Sequence, residues 1–143
     1  MSTIIAECYI EELNSWSEQI SFYQKQISSL KYKLFQVAKQ QVFLKDSAMI
    51  EQLHIAIIHF CDAFYEIDQS IQEQIFQLDT HYIIDDFILN EVIEQKQQTI
   101  RFEMFIIEHV FLSHQYRLYE YVFKLLKKLS LYKKEHYSSI IRI

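Results

Sequence analysis

Apolar residues recur along this chain in alternating steps of three and four, the rhythm of helices that pack along a seam. The central run, from Ser47 to about Leu78, is the clearest. It places Ile50, Leu53, Ile57, Phe60, Phe64, Ile67, Ile71 and Leu78 on one stripe, interrupted only at Gln74. An earlier run reads Ala6, Tyr9, Leu13, Trp16, Ile20, Tyr23, Ile27, Leu30, Leu34 and Val37, then Gln41 and Leu44. It predicts one helix of about 40 residues, roughly 60 Å long, with the Thr3 hydroxyl capping its free N–H groups. The polar Lys45-Asp46-Ser47 breaks the two runs, with Asp46 or Ser47 positioned to cap the second helix. So short a connection makes the two helices antiparallel neighbours.

The end of the second helix is open to two readings. Its seam continues through His81, meets Asp85 at an apolar slot, and resumes at Ile88 and Val92. A turn at Asp79-Thr80 leaves a third helix of more than 50 residues. A turn within the polar run from Asn90 to Thr99 gives three helices of similar length that cover one another. The second is favoured, because an overhanging helix leaves apolar side chains bare.

The third helix carries a seam of Ile100, Met104, Ile107, Phe111, His114, Leu118, Tyr121, Leu125 and Tyr132. A second stripe, Phe105, Leu112, Tyr119 and Leu126, repeats every seven residues and is flanked by Ile106, Tyr116 and Phe123. One three-helix core does not easily bury both stripes. A helix apolar over most of its circumference is expected to be covered over most of it. The expectation is an all-α, elongated, antiparallel, coiled-coil-like three-helix bundle, residues 1–143 as one domain. It dimerises through Phe105, Leu112, Tyr116, Tyr119, Phe123 and Leu126, and the periodicity is lost after Lys133.

Composition sharpens this picture. The chain has 143 residues, half of them apolar, and neither a glycine nor a proline. Phosphate-cradling loops and tight β-turns depend on those residues, which argues against nucleotide-binding loop folds. The net charge of −5 conceals a segregation: the middle of the chain is acidic, and the part after Glu108 is mostly basic. In a bundle these segments can lie side by side, and the overall balance speaks against generic nucleic-acid binding.

Two cysteines, Cys8 and Cys61, form no motif and sit beside aromatic seam positions, as small buried hydrophobes do. The chain shows no leader and no apolar run near the ~20 residues of a membrane span, so a reducing, cytoplasmic setting is expected. Six histidines raise a metal-binding or cofactor-binding bundle, ferritin- or haemerythrin-like in style, as the alternative reading. Glu51-x-x-His54 has the spacing of di-iron carboxylate bundles, but no second such motif accompanies it. His54/His59 and His109/His114 are five apart, about 140° round a helix, and do not chelate one ion easily. His81 and His114 fall on seams, where a hydrogen-bonded core histidine is the commoner meaning. No metal ligand, cofactor or catalytic set is therefore assigned. The basic segment from Tyr116 to Lys134 has the pattern of a membrane-surface helix, yet it continues a core seam and is read as a lysine-edged bundle helix. The sequence thus predicts a non-enzymatic interaction or scaffolding module, a homodimer with room for a protein partner.

His59-Phe60-x-x-x-Phe64, with Trp16, Phe22-Tyr23, Leu30, Leu34 and Val37, and with Arg101-Phe102-Glu103-Met104-Phe105 and the stretch from Tyr121 to Leu129, resembles an uncharacterised bacterial family. That family consists of small three-helix proteins with a His-Phe-Gln-Asn-Gln-Phe segment. Here Cys61, Asp62 and Ala63 stand in place of Gln-Asn-Gln. The resemblance implies the three-helix fold and no activity.

Overall fold

The computed structural model describes residues 1–81 and 87–141, without the side chains of 41–43, 81 and 136–141. Three long helices account for nearly all of them: α1 (Thr3–Ala38), α2 (Ser47–His81) and α3 (Phe87–Ile141). A short 3-10 segment, Gln41–Asp46, joins the first two, and no strand occurs among the described residues. With no glycine or proline to interrupt them, the helices run 36, 35 and 55 residues. At the standard rise α3 is roughly 80 Å long and its partners just over 50 Å.

The α1 N-terminus is capped one residue earlier than the pattern suggests. The Ser2 hydroxyl, not that of Thr3, accepts the Ile5 N–H at 3.2 Å, supplying one of the free N–H groups of the first turn with an acceptor. Helix α1 also stops earlier, at Ala38 instead of near Leu44. Leu44 is left 74% exposed, off the seam to which its spacing assigned it. The Asp46 carboxylate takes Lys128 at 2.7 Å, one link between the acidic middle and the basic end of the chain.

Every seam residue of α2 from Ile50 to Leu78 is buried, and Gln74 is buried with them. From α1 the core takes Ala6, Leu13, Ile20, Tyr23, Ile27, Leu30, Leu34 and Val37, with Tyr9 and Trp16 partly buried against it. From α3 it takes Ile93, Ile100, Met104, Phe111, Leu118, Val122, Leu125 and Leu129. The favoured position of the second turn is therefore wrong. Residues 90–99 lie inside α3, because Glu, Gln, Lys and Ile are all competent helix formers and the run contains no helix breaker. Ile88 and Val92, assigned to the continuing second seam, and Tyr132 of the third are exposed, while Ile93 and Gln97 point inward. His114 is exposed as well, its Nδ1 2.8 Å from the Val110 carbonyl oxygen. The seam assignment of His81 and Asp85 falls outside the described side chains.

Two layers tie the helices together. In the first, Phe111 of α3 sits among Tyr23 of α1 and Phe60 and Phe64 of α2, with ring centroids 5.1, 5.2 and 5.4 Å away. These contacts are edge-to-face, the favourable aromatic geometry. The Tyr23 hydroxyl accepts from Gln19 Nε2 and donates to Glu108 Oε2 at 3.0 Å. Burial raises the Tyr23 pKa, and the Glu108 carboxylate adds to this against the opposing Gln19 donor.

The second layer is polar. Gln74 and Gln97 are both fully buried. Gln74 Nε2 donates to the Ile93 carbonyl at 2.8 Å and to Gln97 Oε1 at 3.2 Å. Gln97 Nε2 donates to Glu12 Oε1 at 2.9 Å and to the Tyr9 carbonyl at 3.3 Å. Gln74 Oε1 is left buried without a partner, which costs free energy a satisfied amide does not. A buried amide at a seam position fixes register at the expense of stability.

Two outcomes are expected in urea or thermal melts. Ile57→Asp, at a position 1% exposed, places an unpartnered carboxylate in the core and lowers stability by about 4 kcal/mol or more. Gln97→Leu alone leaves the buried Gln74 amide only its bond to the Ile93 carbonyl and costs about 1–3 kcal/mol, whereas Gln74→Leu with Gln97→Leu restores or exceeds the starting stability.

Candidate interaction surface

The inward stripe of α3 leaves much apolar surface on its other sides. Phe105 is 70% exposed, Leu112 47%, Tyr116 79% and Phe123 50%. Tyr119 and Leu126, assigned with them from the sequence, are half-buried and pack against the core at the strip's inner margin. The reason is geometric: at about 100° per residue, positions 119 and 126 lie nearer the seam than 105, 116 and 123.

Contacts with α1 locate the strip on the flank that α3 turns toward that helix. Lys33 Nζ lies 5.2 Å from the centre of the Phe123 ring, and Gln115 Nε2 donates to Gln26 Oε1 at 2.7 Å. Arg101 grips Glu12 with two hydrogen bonds, at 2.7 and 3.1 Å. Within α3, Phe105 stacks on His109 with centroids 6.3 Å apart, and Tyr119 stacks on Phe123 at 6.0 Å. These stacked pairs form flat, ring-covered ground at either end of the strip. Ile106 is also exposed, on the opposite flank, where it lines a shallow groove with Phe102 and Ala63.

The remaining candidates are less concentrated. An open apolar groove lies between the end of α1 and the start of α2, with Tyr32, Leu34, Phe35, Leu44, Ile50 and His54 on its walls. Glu51 and His54 are both exposed there. Among the described residues no three His, Cys, Asp or Glu side chains come together in a way that could hold a metal ion. Cys61 is half-buried against the core, but Cys8 is exposed. The expectation of two buried thiols is corrected for Cys8, which follows Glu7 on the outward side of α1. Among the described residues no helix is long and apolar enough to cross a membrane.

Charge along α3 is polarised. Glu91 and Glu94 near its start are exposed, as are Lys127, Lys133 and Lys134 near its end. Three cations between them are engaged within the chain: Lys96 with Glu73 at 3.2 Å, Arg101 with Glu12, and Lys124 with Glu120 at 3.3 Å.

Partial burial pushes the Glu12 carboxyl up. The hydrogen bonds from Arg101 and Gln97, with the Arg101 charge, outweigh this and hold it below its ordinary value. The bond to Glu12 in turn raises Arg101.

No family model, curated protein or solved structure matches the chain.

The depressed Glu12 carboxyl predicts a pH dependence. A carboxyl lowered in the folded state contributes stability above its unfolded pKa, near 4.3, and loses it as pH falls through the lower folded value. Urea midpoints measured from pH 6 down to pH 3 are expected to fall less steeply in Glu12→Gln than in the wild type. The difference at pH 6 is expected to be about 1 kcal/mol or less, since the ion pair is partly solvated.

Proposed function

We propose that this protein is a non-enzymatic helical interaction module that associates with itself through the outer flank of α3. The supporting observation is the strip of Phe105, Leu112, Tyr116 and Phe123, exposed on a helix whose inward stripe is already engaged by α1 and α2. Contiguous apolar surface of this kind is uncommon on proteins that act as monomers, and it marks interaction sites. The body behind it is read as an elongated antiparallel three-helix bundle of coiled-coil type. Its support is the order of the contacts: Glu73 meets Lys96, Phe60 meets Phe111, and Asp46 meets Lys128. Such a rod holds its binding face rigid, which lowers the entropy lost on association. A scaffolding role, presenting one rigid helix face to a partner, follows from that rigidity.

Leu112→Glu combined with Tyr116→Lys tests this reading, since both residues are exposed and neither belongs to the core cluster. Sedimentation is expected to show a wild-type dimer at micromolar concentration and a mutant at least tenfold weaker in self-association. Circular dichroism is expected to show unchanged helix in the mutant. A wild type that sediments as a monomer refutes the reading. So does a mutant that loses helix and dimer together, because the strip would then belong to the core of a single chain.

A further inference from the structure

We infer that the α3 helices of two copies pair antiparallel between Glu94 and Lys134, about a two-fold axis level with residue 114. This rests on the self-association reading and adds the orientation and register of the contact.

Two independent features of α3 share that centre.

The first is the arrangement of rings. Phe105 and Phe123 each stand nine residues from residue 114, His109 and Tyr119 each five, and Leu112 and Tyr116 each two. The stacked pair Phe105/His109 therefore meets the stacked pair Phe123/Tyr119 of the other copy. Leu112 meets Tyr116, an aliphatic chain against a ring. A two-fold axis requires self-complementarity of this kind.

The second is charge. Glu94 stands twenty residues before the centre and Lys134 twenty after it. Antiparallel pairing sets these opposite charges level with one another at both ends of the contact. Parallel pairing instead sets Lys133 and Lys134 against their own copies, and like charges held in register disfavour association.

Cysteine cross-linking separates the orientations. In a Cys8→Ser, Cys61→Ala background, Phe105→Cys and Phe123→Cys are made as separate proteins. In the antiparallel pairing two copies of either variant hold their thiols roughly 27 Å apart, whereas a mixture brings unlike thiols together. Mild oxidation is expected to cross-link the mixture at least tenfold more than either variant alone. Self-cross-linking of each variant overturns the inference in favour of a parallel dimer and leaves self-association standing. A dimer that cross-links in no combination overturns it too, since the contact then lies elsewhere. A wild type that is monomeric in sedimentation removes the underlying reading itself. A charge swap with the native cysteines kept provides a second measurement. Glu94→Lys is expected to weaken dimerisation about fivefold, and adding Lys134→Glu to restore it. Failure of restoration overturns the register.

Discussion

The architecture depends on the layer of four rings in which Phe111 meets Tyr23, Phe60 and Phe64. It is where all three helices contribute large side chains to one level, and edge-to-face geometry tolerates little axial slip. A heptad seam by itself repeats every seven residues, so neighbouring helices can slide by one heptad and still bury apolar groups. Tyr23 removes that freedom, because its hydroxyl must reach Glu108 while its ring touches Phe64 and Phe111. The buried Gln74–Gln97 pair does the same some 20 Å away, through hydrogen bonds in place of shape.

The two layers stabilise the fold in different ways. The ring layer lowers free energy by burying apolar surface. The amide layer contributes little net stability and leaves one acceptor unpaired, yet it excludes the alternatives in which an amide would face only hydrocarbon. Arg101 extends that layer to the surface by clamping Glu12, so the outermost member of the network is charged and the innermost neutral.

The extent to which this was legible in the sequence follows from the same physics. The α2 seam is written plainly, since Ile50 through Leu78 keep the period and all are buried. Gln74 reads as a gap in the seam because its partner, Gln97, lies in a polar run that looks like a connection. Only the three-dimensional pairing shows that both amides face inward, and that the surrounding Glu94, Gln95 and Gln98 are the solvated side of an unbroken helix. The turn was misplaced for that reason. The two-stripe character of α3 was readable from Phe105, Leu112, Tyr119 and Leu126, but the spacing of seven does not say which stripe margin tucks against α1. That is why Tyr119 and Leu126 lie at the edge of the exposed strip. Cys8 and Leu44 were assigned inward from their neighbours, although helix α1 ends before Leu44 and turns Cys8 outward.

The dependence on α3 also has a consequence in time. Synthesis delivers α1 and α2 first, and these two can meet through contacts of their own such as Ser17 with Asp68. Tyr23, Phe60 and Phe64 then have no Phe111 to close over them, and Gln74 faces an empty level. Their cover arrives only when the chain has grown past the last inward residue of α3, Leu129. A nascent chain therefore carries an open apolar trough from the synthesis of Phe64 to that of Leu129, an interval in which exposed hydrophobic surface favours misassociation. The long final helix is the part that ends that exposure.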